Sequence, residues 1–418
     1  MQPGDRREAL LLHAAVVTPF DLIQDGALHV VDGRIAAIGS AAELAALRER
    51  VAVVYDLTGC WCLPGFIDVH VHGGGGADAM EADAGALRTM VRFHARGGTT
   101  ALLPTTLTAP FDTIMQAIGA VHRMRRESGW EAKAVLGVHV EGPFLSREWA
   151  GAQDPSLVRG PEPGEVDALV AQAGDVRIVS AAPEVEGCLE LGRKAAQRGI
   201  VPSIAHSGAY YDDVARAVAA GYRSVTHLYC AMPPWRNVRG QKSAGIVESA
   251  FLFDELFVEL VMDGNHVPPH LVQLAYKVKG AERICMVTDA IRFAGMPAGV
   301  YEMGGRPVRV TQAAARLADG SGNAGSVATM EQCFRYAVKE CGIPLRDAVR
   351  SATATPAELL GIADVKGRLA AGRAADITVL DQELRVVLTM VAGQVAYAHP
   401  HLSVLAQERS EGGGREGA

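Results

Sequence analysis

The sequence predicts an α/β fold: a (β/α)8 TIM-type barrel with a small β-sandwich module formed from both chain ends. Three observations predict it. Eight short apolar, strand-like runs lie between residues 66 and 288; amphipathic helical stretches fall between most of them; and both ends of the chain carry hairpin chemistry instead. A length of 418 residues suits one barrel of ~250 residues plus a smaller module. A doubly wound sheet is the structural alternative, because both folds share the β/α alternation.

The first segment, residues 9–57, alternates apolar runs with turns. Ala27-Leu-His-Val-Val31, Asp32-Gly33 and Arg34-Ile-Ala-Ala-Ile38 read as strand, turn and strand. The eight barrel runs are then 66–72, 99–104, 134–141, 176–182, 201–206, 223–228, 256–262 and 283–288. Helices are expected at 84–96, 111–126, 187–198, 212–220, 270–279 and 329–341, where apolar residues recur at helical spacing. Strand texture returns at 377–380, 386–390 and 394–397, so the two ends are expected to pair. The domain bounds that follow are 1–61 and 366–405 for the two halves of the sandwich and 62–365 for the barrel. Residues 406–418, rich in glycine, form a disordered tail.

Composition narrows the function. With 49% hydrophobic residues, 21% charged residues and a net charge of -7, the chain builds a large core and carries no basic block for nucleic acid. Apolar stretches stay short of a membrane span; Phe251 to Met262 holds Asp254, Glu255 and Glu259. An export signal is not expected, because Asp5, Arg6, Arg7 and Glu8 precede only a brief apolar run with His13 in it. Seven cysteines, with Cys60 and Cys62 lacking a second pair at zinc-finger spacing, read as reduced thiols, and the expected compartment is the cytoplasm.

Chemistry collects at the C-terminal ends of the apolar runs, where barrel enzymes place their sites. In Gly65-Phe-Ile-Asp-Val-His-Val-His72, strand alternation puts Asp68, His70 and His72 on one face, so His70 and His72 can ligate one ion while Asp68 orients an imidazole. Glu141 leaves the third run at Glu141-Gly-Pro143. His206 closes the fifth run and His227 the sixth. One carboxylate and two imidazoles form the donor set of a catalytic divalent ion that keeps a position open for water. Asp289, at the end of the eighth run, is the candidate general acid and base, with helix capping as its structural alternative.

These motifs, in their order and spacing, resemble the N-acetylglucosamine-6-phosphate deacetylase family of the amidohydrolase superfamily. The resemblance rests on Pro64 to His72, His139-Val-Glu-Gly-Pro143, Ala205-His-Ser207, Thr226-His-Leu-Tyr229, Asp263-Gly-Asn-His266, Val287-Thr-Asp289 and Gly325-Ser326, and covers residues 10–397. It implies a barrel enzyme, usually a homodimer, that hydrolyses the acetamide of a phosphorylated amino sugar. One or two divalent ions are implied per subunit, with zinc first and iron, manganese or cobalt as rivals. Glu141, His206 and His227 become the tighter metal site and Asp289 the acid/base group. Arg239 and His266 hold the phosphate, with Arg236 as the rival arginine, while Ala152, Ala231, Asp263 and Asn323-Ala324-Gly325 line the sugar pocket.

Two positions depart from the family's pattern. Gln153 stands where a histidine is usual, and Cys230 where an asparagine is usual; both are expected at the substrate. Two other readings stay open. Another amidohydrolase, acting on a cyclic amide or an N-acyl amino acid, commonly bridges two ions with a modified lysine, and 176–184 has none. A non-catalytic scaffold should have lost ligands that this chain keeps.

Overall fold

The computed structural model describes residues 8–18, 21–238, 240–320 and 322–406. The expected tail at 406–418 therefore lies, but for its first residue, outside the described residues, and so does Arg239.

Eight parallel strands form the barrel: β1 (Phe66–Val71), β2 (Thr99–Pro104), β3 (Val138–Glu141), β4 (Val176–Ala181), β5 (Val201–Ile204), β6 (Ser224–Val225), β7 (Phe257–Val261) and β8 (Ile284–Val287). Strands β3 to β8 pair in sequence order, and β1 pairs with β2. Bridges Leu102↔Val135 and Thr105↔His139 carry β2 to β3, and Val71↔Ala290 returns the chain beyond β8 to β1. The ring is closed. All eight strands fall on the eight apolar runs, which read as nearly continuous apolar segments because a parallel sheet is buried on both faces.

Helices cover the outside. In Ala84–Ala95, Leu87, Met90 and Val91 are buried at helical spacing, and in Phe111–Met124 the same holds for Ile114, Ile118 and Val121. Phe257, Glu259 and Val261 alternate onto the inner face of β7. Phe257 and Val261 pack with Ile178, Val287, Leu359 and Leu360 into an apolar plug, so the barrel is filled rather than hollow.

Both chain ends meet in one nine-stranded sheet. Glu8–Val17 pairs with Leu22–Val31 on one side and, along its length, with Val53–Asp56 and then Trp61–Pro64 on the other. Trp61–Pro64 pairs in turn with Ile377–Leu380 from the far end of the chain. The forked sheet closes on itself around Leu11, Val16, Leu28, Ile35, Ile377, Val379 and Leu388, all buried. Within the first segment a short helix, Ala41–Leu44, interrupts the strands. Ser40 and Glu43 cap it reciprocally, Glu43 N–H donating to Ser40 Oγ and Ser40 N–H to Glu43 Oε2.

Among the elements outside the sequence reading, one bears directly on the barrel mouth. After β8 the chain forms a three-stranded antiparallel sheet, Gly299–Met303, Arg306–Val310 and Ala315–Leu317, beside the barrel mouth. Its first turn is Gly304-Gly305, with both residues at positive φ.

Candidate metal centre and active-site cavity

Every metal-ligand candidate sits at or just past the C-terminal end of a barrel strand: His70 and His72 on β1, Glu141 on β3, His206 after β5 and His227 after β6. Asp289 follows β8 in the same way. His206, His227 and Asp289 adopt left-handed backbone, with φ of 43°, 32° and 48°. That conformation costs a non-glycine residue about 1–2 kcal/mol, and here it breaks each strand so that the side chain turns over the barrel mouth. Gly142 ends β3 at φ 79°, where a Cβ would lie 2.2 Å from Thr108 Oγ1, so only glycine lets the chain turn directly after Glu141.

The structure brings these groups together. Glu141 Oε1 lies 3.0 Å from His227 Nε2 and 3.3 Å from His206 Nε2, and those two nitrogens are 3.2 Å apart. Glu141 Oε2 faces the other pair, at 3.4 Å from His72 Nε2 and 3.8 Å from His70 Nε2. Asp289 Oδ1 is 3.3 Å from His72 Nε2 and 3.5 Å from His70 Nε2. All are buried.

The outer nitrogens explain why the inner ones are available. His206 Nδ1 donates to Trp149 O at 2.9 Å and His72 Nδ1 to Thr105 O at 3.2 Å. A carbonyl only accepts, so each ring carries a hydrogen on Nδ1 and turns Nε2 inward, where that nitrogen either holds a proton or, once it is lost, offers a lone pair to a metal. His70 Nδ1 meets Glu259 Oε2 at 2.9 Å, the carboxylate–imidazole pairing that orients metal-bound histidines. Three groups of ligand atoms lie close enough to hold a divalent ion: Glu141 with His206 and His227, His70 and His72 with Glu141, and His70 with His139 and Glu259; the first two share Glu141.

Electrostatics make the same point. Burial opposes charging His72, but the carboxylates of Asp289 and Glu141 outweigh it and lift its pKa to about 10. Burial likewise opposes His227, and Glu141 lifts it to about 9. Burial would raise the carboxyl groups of Glu141 and Asp289, yet the surrounding imidazoles hold both well below the usual carboxylate range. Two ionised carboxylates in a dry pocket require positive charge, as protons or as a metal ion. His70 is the exception: burial outweighs the carboxylates of Glu141 and Asp289 and lowers its pKa to about 4.

A cavity of about 830 Å³ opens onto this cluster, large enough for a sugar phosphate. Ala152, Gln153, Cys230, Ala231, His266, Asn323, Ala324 and Gly325 all line it with His72, Glu141, His206, His227 and Asp289. Asp263 does not. Its Oδ1 accepts the Asn265 and His266 N–H groups and its Oδ2 receives His266 Nδ1–H at 2.8 Å, so it holds His266 in place and faces a neighbouring cavity. Asp68 also differs from expectation. It accepts Thr288 Oγ1–H at 2.5 Å and the backbone N–H groups of His70 and Thr288, tying β1 to β8 rather than orienting a ring. Arg236 donates to Gly208 O and lies over the Tyr210 ring, outside the cavity lining.

Three residues escaped the sequence reading. Glu259 is one, and its signal was a lone carboxylate inside the apolar run 256–262. Arg147 and Arg306 are the others. Both line the cavity, and Arg306 comes from the unanticipated hairpin.

Comparison with known proteins agrees with this geometry. The profile of the Amidohydrolase family matches residues 61–396. The chain is 32% identical to the N-acetylglucosamine-6-phosphate deacetylase of Bacillus subtilis (strain 168), over 93% of this chain and 98% of that protein. It is 33% identical to the N-acetylgalactosamine-6-phosphate deacetylase of Escherichia coli O157:H7, over 90% and 95%. Among solved structures, an N-acetyl-D-glucosamine-6-phosphate deacetylase variant of Mycobacterium smegmatis, in complex with N-acetyl-D-glucosamine-6-phosphate, superposes with a TM-score of 0.85 at 34% identity, covering 94% of this chain and all of that one. The barrel, the donor set and these matches together place the chain in the amidohydrolase family, in the branch that holds these amino-sugar-phosphate deacetylases.

Proposed function

We propose that the protein hydrolyses the acetamide of N-acetyl-D-glucosamine 6-phosphate, releasing acetate and D-glucosamine 6-phosphate. The observation that carries this reading is the convergence of Glu141, His206 and His227 beside an ionised Asp289 at the floor of a sugar-sized cavity. A divalent ion in that set, zinc in our reading, would polarise the acetamide carbonyl and make water nucleophilic near neutral pH. The chain's own groups do the rest. Asp289 takes a proton from the attacking water and gives it to the departing nitrogen. His266, held by Asp263, faces the cavity as the polar anchor for the sugar phosphate, and Arg147 and Arg306 supply the guanidinium charge near its mouth.

We further propose that the protein works in the cytoplasm as a homodimer. Its seven cysteines are all unpaired, in keeping with a reducing compartment. Among the described residues no helix is long and apolar enough to cross a membrane. The hairpin Arg236–Val238 and Gln241–Ser243, with the neighbouring Trp235 side chain exposed, offers a contact surface, and sedimentation velocity reads the oligomer directly.

A second sugar is favoured by the relatives themselves, two of which are named N-acetylgalactosamine-6-phosphate deacetylases. The deciding experiment compares kcat/KM for 6-phosphorylated and unphosphorylated N-acetylglucosamine, N-acetylgalactosamine and N-acetylmannosamine. N-acetylglucosamine 6-phosphate should rank first. A preference for any unphosphorylated sugar would overturn the reading.

A further inference from the structure

Gln153 stands closer to the metal ligands than to the middle of the cavity. Its Nε2–H donates to Glu141 Oε2 at 2.8 Å, and its Oε1 accepts the Thr108 N–H at 2.8 Å. The second bond settles the orientation of the amide, because an N–H cannot donate to an NH2 group. Gln153 is 5% exposed and Glu141 1% exposed, so the contact is shielded from bulk solvent.

The consequence lies in how Glu141 divides its two oxygens. Oε1 belongs to His206 and His227, at 3.3 and 3.0 Å. Oε2 is the oxygen that an ion between His70 and His72 would share, and Gln153 already directs the positive end of an N–H dipole at it. We propose that Gln153 is the positioning residue that sets unequal occupancy at this centre. By holding Oε2 it turns Oε1 to His206 and His227, which gives one tight ion there, and it weakens any second ion at His70 and His72. This rests on the metal-dependent reading above and adds to it which residue governs the ion count.

The test is a titration of metal-free protein with Zn²⁺ against a chromophoric chelator, giving two stepwise dissociation constants, with bound metal counted by mass spectrometry. In the wild type the second ion should bind at least roughly 100-fold more weakly than the first, the upper end of what a ligand's hydrogen-bonded partners contribute to affinity. Gln153→Leu keeps the bulk but removes the donor, and should narrow the ratio about tenfold or more by weakening the first ion and freeing Oε2 for the second. Gln153→Met, unbranched and of similar length, also loses the donor, so it should narrow the ratio too. Gln153→His, which can still donate, should restore it. General loosening of the loop would weaken both ions together and leave the ratio in place. Two ions of equal affinity in the wild type, or an unchanged ratio in both Gln153→Leu and Gln153→Met, would overturn the proposal while leaving the deacetylase reading intact. A wild type that holds no ion at all would remove that reading as well.

Discussion

Asp289 carries the most specific chemistry of any single residue. Its carboxyl is held ionised by His70 and His72 against the effect of burial, and it lies 3.3 Å from His72 Nε2. Asn in its place keeps the shape and cannot carry a proton. Asp289→Asn should lower kcat by ~100- to 10,000-fold with KM little changed, a range set by what general acid–base catalysis contributes. A loss of under about threefold, measured by steady-state kinetics, contradicts the role. His206 tests the metal in the same way. Its Nδ1 is fixed on Trp149 O and its Nε2 faces Glu141, so His206→Ala should leave the protein folded but unable to retain its tighter ion through dialysis.

At the scale of elements, the barrel strands were legible and the hairpin after β8 was not. Parallel strands buried on both faces must be apolar throughout, and that signal survives in one sequence without help from neighbours. His70, His72, Glu141, His206, His227 and Asp289 stood out because a polar residue ending such a run has no packing reason to be there. Glu259 breaks the same rule in mid-strand, yet its use appears only when β7 is placed behind His70. The hairpin Gly299–Met303 and Arg306–Val310 is half exposed and rests on the barrel mouth, so its pairing depends on tertiary contact more than on pattern. It also brings Arg306 to the cavity. If Arg306 faces the phosphate, losing one partner of that charge pair costs roughly 2–5 kcal/mol when the other remains buried, with a partly exposed guanidinium at the low end. Arg306→Ala should thus lower kcat/KM for the 6-phosphorylated sugar by about 30-fold and spare the unphosphorylated one. Equal losses on both would assign Arg306 to holding the Gly151 loop, whose carbonyl it also reaches.

The whole molecule should respond to acid through a buried residue outside the cavity lining. His94, fully buried in Ala84–Ala95, donates Nε2–H to Gly73 O while its Nδ1 has no partner. Burial lowers its pKa to about 4, against 6.5 for the free side chain. The unfolded chain therefore binds a proton between those values that the folded chain refuses. Stability is complete above pH 6.5 and falls as the pH drops from there towards 4, by roughly 3 kcal/mol at most from this group. Denaturant melts of wild type and His94→Gln at pH 7.5 and 5 should show a smaller pH dependence in the variant. The glutamine amide replaces the Gly73 bond and has nothing to titrate there.

The nine-stranded sheet also has a history in time. Trp61–Pro64 leaves the ribosome about 300 residues before its partner Ile377–Leu380, a wait of roughly 15 to 60 s at 5–20 residues per second. Through that interval the N-terminal strands hold an unpaired edge along both Val53–Asp56, which awaits Val404–Ala406, and Trp61–Pro64, and Leu11, Val16 and Leu28 lack the far half of their core. The barrel can close meanwhile, since β8 ends at Val287. The newborn chain is thus enzyme-like at its centre while its first sixty residues remain open to any passing strand, and the last hundred residues decide whether that edge meets its own partner or a neighbour's.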